Sequence, residues 1–275
     1  MSGAGKVYTV DGIVLRQSNY GENDTLFTVL TADRGRVTLI AKGARSLKSA
    51  VRAAVEPFTF GNYEVSDKGG LAWLRAGVVN ESFLGLRSNL TALSAASYFC
   101  DVAYELSGEE MPAGELLQLL LNALYLLSYR IPPDDSEAVM KAKAAFEIRA
   151  MTISGYAPDL SRCTWCGTTD GDRWYLDVMN GSIICGDCMH RHASIRYGND
   201  DPHDTGSATI LQPITRAAMD AMRYVIEAPP KRVFAFRLPD ADSRNDFART
   251  AESYLKNHLE RTFDSLEFFH RMQLP

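Results

Sequence analysis

A chain of 275 residues with 46% apolar and 23% charged side chains can bury a sizeable core and exceeds the usual length of one domain, so at least two compact parts are expected. Its formal net charge of -5 excludes a protein that coats nucleic acid by overall basicity, and any such contact must come from a local patch. No apolar run approaches the roughly 20 residues needed to cross a bilayer, and Met1 to Val10 lacks the charged-then-apolar order of a secretion signal, so the expected location is the cytoplasm, without membrane contact.

Residues 1–82 read as five strands: Val7 to Gln17, Asp24 to Thr31, Arg36 to Lys42, Pro57 to Val65 and Leu71 to Asn80. Turn chemistry separates them at Asn19-Tyr20-Gly21, Ala32-Asp33-Arg34-Gly35 and Ser66-Asp67-Lys68-Gly69-Gly70. Five strands with no covering helix suit a small closed barrel, because closure removes the edges that an open sheet leaves unpaired. Tyr8, Phe27, Phe58, Phe60 and Trp73 alternate as core residues do, whereas Tyr20 and Tyr63 are candidate platforms for stacking bases. The segment from Arg34 to Val55 carries Arg34, Arg36, Lys42, Arg45, Lys48 and Arg52 with no acidic residue among them. Arg34 and Arg36 flank the turn before the third strand and Lys42 to Lys48 follows it, and both groups are expected on one end of the barrel. A run of this kind is either a solvated face or a phosphate-binding groove.

From Ser88 the period changes to that of helices, with Leu90, Leu93, Ala96, Tyr98, Val102 and Leu106 forming the first stripe. Leu116 to Leu127 is almost continuously apolar and is expected to sit centrally, sheathed by its neighbours. Ile131-Pro132-Pro133-Asp134-Asp135-Ser136 stops it and caps a helix from Glu137 to about Ser154, which Gly155-Tyr156-Ala157-Pro158 closes. Tyr197 to Ser207 reads as a loop, Pro213 to about Glu227 as a helix with proline in its first turn, and Asp242 to Arg271 as one long final helix. The expected fold class is therefore α+β, a barrel followed by a helical domain over residues 83–275.

The sharpest chemical signal lies inside that domain, at about residues 160–195. Cys163-Thr164-Trp165-Cys166 is followed, after 18 residues, by Cys185-Gly186-Asp187-Cys188. Two C-x-x-C knuckles at this spacing suit a zinc ion held by Cys163, Cys166, Cys185 and Cys188. Arg173 to Ile184 has hairpin character, with Asn180-Gly181 as its turn, and would bring the knuckles together. Four thiolates complete a tetrahedral shell, so such a zinc is structural and leaves no open position for water. His190 and His192 follow the last cysteine and are expected on the surface, and Cys100 as a small core residue.

Taken in order, several segments resemble the RecO family of recombination-repair proteins over nearly the whole chain. Gly12-Ile13-Val14-Leu15 with Tyr20-Gly21-Glu22-Asn23-Asp24 resembles the family's opening strand and turn, and Gly35-Arg36-Val37 through Ala41-Lys42-Gly43-Ala44-Arg45 its next hairpin and basic loop. Phe146-Glu147-Ile148-Arg149, Gly155-Tyr156-Ala157-Pro158 and Cys163-Thr164-Trp165-Cys166 resemble the entry to its zinc module, and Tyr254-Leu255-Lys256-Asn257-His258-Leu259 its C-terminal helix. The resemblance implies an N-terminal OB-fold, a helical C-terminal domain and an inserted zinc module. It also implies binding of single- and double-stranded DNA, annealing of complementary strands and, with RecR, loading of RecA onto DNA coated with single-stranded-DNA-binding protein. DNA contact carries over onto Arg34, Arg36, Lys42, Arg45 and Lys48, and Arg52 closes the same run.

Two readings from other classes remain. One is a protein-interaction adaptor whose basic loop meets an acidic partner and which binds little DNA itself. The other is a zinc hydrolase or deaminase, which would need an open metal position; the sole H-x-E, His258-Leu259-Glu260, lies downstream of both cysteine pairs. A nucleotide-driven enzyme is not expected, since Gly3-Ala4-Gly5-Lys6-Val7 lacks the spacing and hydroxyl of a phosphate-binding loop.

Overall fold

Burial alternates near the start of the first strand, β1 (Val7–Tyr20), where Val10 turns inward while Thr9 and Asp11 face water, and becomes continuous from Gly12 to Leu15. In the computed structural model, which describes residues 6–68, 70–191 and 210–273, this strand is followed by β2 (Asp24–Thr31), β3 (Gly35–Ala41), β4 (Phe60–Lys68) and β5 (Leu71–Glu81). The five strands close in the order β1-β2-β3-β5-β4, the topology of an OB-fold. β1 serves both sides: Val7 to Ile13 pairs with β4, Gly12 to Tyr20 pairs with β2, and an irregularity between Val14 and Arg16 bends it. Gly12 sits at that crossing, where an added Cβ would meet Val29 Cγ1 at 2.4 Å and Leu30 O at 2.5 Å.

The barrel core is built from Val10, Val14, Phe27, Val29, Leu39, Tyr63 and Val65, closed at one end by Ala44, Ala54 and Val55. Phe27 is buried as expected, while Tyr8, Phe58, Phe60 and Trp73 are half-buried. Tyr63 is not a stacking platform. It is fully buried, and its hydroxyl donates to Ala54 O at 3.0 Å and Thr59 O at 3.2 Å, pinning the short 3-10 turn Ala53–Val55 inside the barrel mouth.

The helices are α1 (Leu90–Leu106), α2 (Gly114–Tyr129), α3 (Ser136–Ile153), α4 (Gly186–Arg191), α5 (Arg216–Glu227), α6 (Ala241–Leu259) and α7 (Asp264–Arg271). The chain forms two compact units, Met1–Val139 with Phe263–Pro275, and Met140–Thr262. In the first, the Asn89 side chain caps α1 by accepting from Ala92 N–H at 3.0 Å, Cys100 is buried, and α7 packs on α1 through an edge-on Tyr98–Phe263 contact at 5.5 Å. α2 buries Leu116, Leu120, Ala123, Leu124 and Leu127, but it is not sheathed all round, since Gln118, Tyr125 and Tyr129 face solvent.

In the second unit, Gly155 at φ +88 ends α3 with paired bonds from Tyr156 N–H to Met151 O and Gly155 N–H to Thr152 O, 2.9 and 3.1 Å. A four-stranded sheet follows in the order β6-β8-β7-β9, from β6 (Asp159–Cys163), β7 (Trp174–Asp177), β8 (Ser182–Cys185) and β9 (Leu211–Ile214). Pro213 therefore lies in an edge strand, opposite Tyr175, rather than in the first turn of a helix; α5 begins later, with Thr215 accepting from Ala218 N–H at 3.3 Å. The expected single C-terminal helix is also two. Glu260 takes a left-handed conformation, φ 49, and no apolar residue lies between Leu259 and Phe263, so the stripe restarts on Phe263, Leu266 and Phe269. The expected loop at Tyr197 to Ser207 lies outside the described residues.

One buried ionic group ties α3 to α6. Lys143 Nζ lies 2.8 Å from Glu147 and 2.7 Å from Glu252, with the first two side chains almost fully buried. Burial alone would lower the lysine pKa, but the two carboxylates outweigh it and hold the ammonium charged. Lys143→Met should destabilise the fold by about 3–5 kcal/mol, because it removes the buried ammonium that two carboxylates share. Urea unfolding checks this, and a loss below about 1 kcal/mol would contradict it.

Candidate nucleic-acid interface and metal centre

The register of the β2–β3 hairpin decides where the basic residues go. Thr31 pairs with Gly35 at the turn and Thr25 with Ala41 at the far end, so Arg36 and Lys42 stand about 20 Å apart along the strand. The two basic groups therefore occupy opposite ends of the barrel, not one. A strand of seven residues is too long to return them to the same side.

At one end, the loop after β3 is fastened to the β1–β2 turn. Gly43, at φ +65, donates to Asp24 Oδ1 at 2.8 Å, Arg45 N–H donates to Asn23 O at 3.1 Å, and the Arg45 guanidinium donates to Glu22 O at 2.8 Å. Ala44, Ala54 and Val55 plug the loop into the core, which leaves Lys42, Arg45, Lys48 and Arg52 exposed on a backbone with fixed ends. An open groove of about 420 Å³ runs beside Arg45 and Arg52, lined also by Gln17, Ser18, Asn19, Thr25 and the carboxylate of Glu56. Tyr20 is exposed at the end of β1, as a stacking platform requires, and Leu47 is 88% exposed on the loop itself.

At the other end the arginines are already engaged. Arg34 pairs with Glu110 at 3.4 Å and lies 4.4 Å from the Tyr8 ring centre. Arg36 and Arg16 both lie over the Tyr104 ring, at 4.0 and 3.5 Å. Arg16 also pairs with Asp101 at 3.2 Å and Glu105 at 3.6 Å, and Ser265 donates to Asp101 at 2.6 Å. Nothing in the periodicity singled out Arg16 or Tyr104, since each reads as one polar or aromatic residue in its element; the pairing is set by tertiary packing.

The four cysteines converge. Cys163 ends β6, Cys185 ends β8, Cys188 sits in the first turn of α4, and Cys166 lies in the turn of residues 164–166 that Gly167, at φ +76, closes by donating its N–H to Cys163 O at 2.8 Å. Their Sγ atoms all lie within 4.8 Å of one another. Zinc–sulfur bonds of about 2.3 Å in a tetrahedron require sulfurs about 3.8 Å apart, and Cys166 and Cys185 already stand at 3.7 Å. Cys185 N–H also donates to Cys163 Sγ at 3.3 Å. Burial raises the Cys163 pKa, but N–H groups of Cys185, Cys166 and Trp165 outweigh it and bring the thiol to about 6; burial and its sulfur neighbours push Cys188 up to about 12. A divalent soft-accepting cation fits this donor set, whose four positions are all sulfur and leave none for a reacting water. His190 is exposed and stands apart from the cluster, and His192 lies outside the described residues. His258 turns its Nδ1 toward Tyr254 O at 3.0 Å within α6.

Residues 4–83 match the family model described as Recombination protein O N terminal, and residues 87–200 that described as Recombination protein O C terminal. The DNA repair protein RecO of Anaeromyxobacter dehalogenans strain 2CP-C is 36% identical over 180 residues, 64% of this chain and 68% of that protein. The chain belongs to the RecO family of DNA repair proteins. RecO of Acetivibrio thermocellus is 27% identical over 257 residues, 94% of both chains, and RecO of Desulforamulus reducens is 25% identical over 269 residues, 97% of this chain and 95% of that protein. No described helix of this RecO-family chain is long and apolar enough to cross a membrane.

Proposed function

We propose that this chain is a non-enzymatic recombination mediator of the cytoplasm and nucleoid. The barrel, residues 1–82, binds single- and double-stranded DNA; residues 83–275 dock protein partners. The chain thereby anneals complementary strands and, with RecR, aids RecA loading on DNA covered by single-stranded-DNA-binding protein. The observation that carries the reading is the exposed quartet Lys42, Arg45, Lys48 and Arg52, held on a pinned loop beside an open groove. Four exposed cations on one loop neutralise phosphates and release their counterions, while Tyr20 offers a face for a base. Arg34 and Arg36 contribute from the other end once a strand extends along β3.

Cys163, Cys166, Cys185 and Cys188 would hold zinc, and the module at about 160–195 would depend on it for its fold. When bound, zinc supplies only a closed tetrahedral crosslink between the two knuckles. The residues around it do the remaining positioning: Thr164 N–H donates to Ile183 O at 2.9 Å and Gly186 N–H to Arg173 O at 2.8 Å, setting each knuckle against the sheet.

Annealing tests the reading without any partner. Two complementary oligonucleotides mixed with the intact protein, with no nucleotide present, should form duplex about tenfold faster than alone, as expected where a basic surface raises the encounter rate of two polyanions. A rate equal to the spontaneous one, followed by a strand-specific fluorescence signal, would contradict it and favour an adaptor.

A further inference from the structure

β3 is paired along its length with β2 but meets β5 at one position, Ile40 with Trp73, which leaves its edge from Gly35 to Leu39 without a barrel strand among the described residues. The connection between α1 and α2 covers the start of that edge. Gly35 and Arg36 bridge to Glu109, Arg36 N–H donates to Gly108 O at 2.9 Å, and Ala113 N–H donates to Ala32 O at 2.8 Å. The fit is close enough that a Cβ on Gly35, which is at φ +61, would fall 2.2 Å from Gly108 O.

The same connection places two carboxylates over a groove of about 470 Å³ that runs from the β2–β3 turn to the β4–β5 turn. Its ionic lining is Arg34, Arg36, Asp67, Glu109 and Glu110, two cations against three carboxylates. Glu110 pairs with Arg34, yet its side chain is 76% exposed and its backbone is left-handed, φ 55, a conformation that residues with a Cβ avoid. Arg36 Nε is buried with no hydrogen-bond partner among the described residues. Glu110 is thus held on Arg34 at a conformational cost, while Arg36 binds the same connection through its N–H and lays its guanidinium on Tyr104.

We propose that Glu109 and Glu110 are a phosphate mimic that covers a second nucleic-acid site on the barrel. In the uncovered state Arg34 and the Arg36 N–H receive a phosphodiester of single-stranded DNA. The proposal rests on the barrel being a DNA-binding domain, and it adds how that site is regulated. With the carboxylates in place the groove is net negative and repels phosphate; once they swing away, two arginines face Asp67 alone. The Arg36 N–H released from Gly108 O needs a new acceptor, and a phosphate oxygen supplies one. The site lies about 20 Å along β3 from the basic loop, so a strand bound there first can reach it.

Anisotropy titrations of labelled single-stranded DNA with the full chain separate the outcomes. Glu109→Gln/Glu110→Gln should bind about fivefold tighter than the unaltered protein, the range an exposed ion pair commands, and with a steeper salt dependence. Adding Arg34→Ala to that variant should abolish the gain. Glu115→Gln, an exposed carboxylate in the first turn of α2, should give none. Equal affinities for the unaltered and double-Gln proteins would overturn the mimic and leave the barrel reading intact. A gain that survives Arg34→Ala, or that Glu115→Gln reproduces, would overturn it as well, since general charge would then be the cause. Absence of DNA binding by every protein would overturn both.

Discussion

Cys185→Ser should strip the metal from the protein and unfold the sheet that carries it. Cys185 ends β8, an inner strand of the order β6-β8-β7-β9, and it is 3% exposed, so its sulfur belongs both to the four-thiol cluster and to the core. Its N–H also steadies Cys163 Sγ. Structural zinc at four such ligands contributes on the order of 10 kcal/mol in small zinc domains, far more than four short strands retain by themselves. Trp174, Leu176, Ile183 and Ile184 are buried in the same sheet and soften the loss without replacing it. Purified protein should carry about one zinc per chain and the variant less than a tenth of that, with new protease cleavage between residues 159 and 191. Full zinc occupancy in Cys185→Ser, or metal-free protein with an unchanged melting temperature, would refute the assignment.

The second large effect belongs to the basic loop. Replacing Lys42, Arg45, Lys48 and Arg52 together by Ala should weaken binding of single-stranded DNA about 100-fold near 0.1 M salt, since each neutralised phosphate adds to a counterion-release term. These four are exposed, and the backbone that bears them is fastened by Gly43, Arg45 and Ala54, so little ordering entropy is lost when a strand binds. Arg34→Ala alone should cost much less, because Glu110 already occupies that arginine. Anisotropy titration at fixed salt distinguishes the two, and an unaffected quadruple variant would move the DNA site off this loop.

Much of the fold is legible in the residues because local rules and tertiary demands coincide. Asp24 to Thr31 is a strand of those bounds because Gly21, at φ +58, and the Ala32-Asp33-Arg34 turn confine it. The cysteine cluster is legible because two C-x-x-C pairs admit few other arrangements. What escapes the sequence is set by distant partners. Tyr63 resembles any aromatic on a strand until Ala54 O and Thr59 O claim its hydroxyl. Pro213 opens helices elsewhere, but here an edge strand against β7 accommodates its missing N–H. The division of the final helix at Glu260 shows locally only as the apolar gap at Glu260-Arg261-Thr262, and the packing of α7 on α1 fixes where the chain restarts. The separation of Arg36 from Lys42 follows from hairpin register alone, and a count of residues along β3 would have revealed it. Glu109 and Glu110 look like an ordinary solvated turn between helices, and their role emerges only where β3 lacks a neighbour.

The most direct test of the central claim is the salt dependence of single-stranded DNA binding, measured for the intact protein and for the variant lacking Lys42, Arg45, Lys48 and Arg52. Four phosphate contacts on a single strand predict a slope of about -3 in log affinity against log salt for the intact protein, and one flatter by most of that value for the variant. Identical slopes in the two proteins would contradict the assignment of the barrel loop as the DNA site.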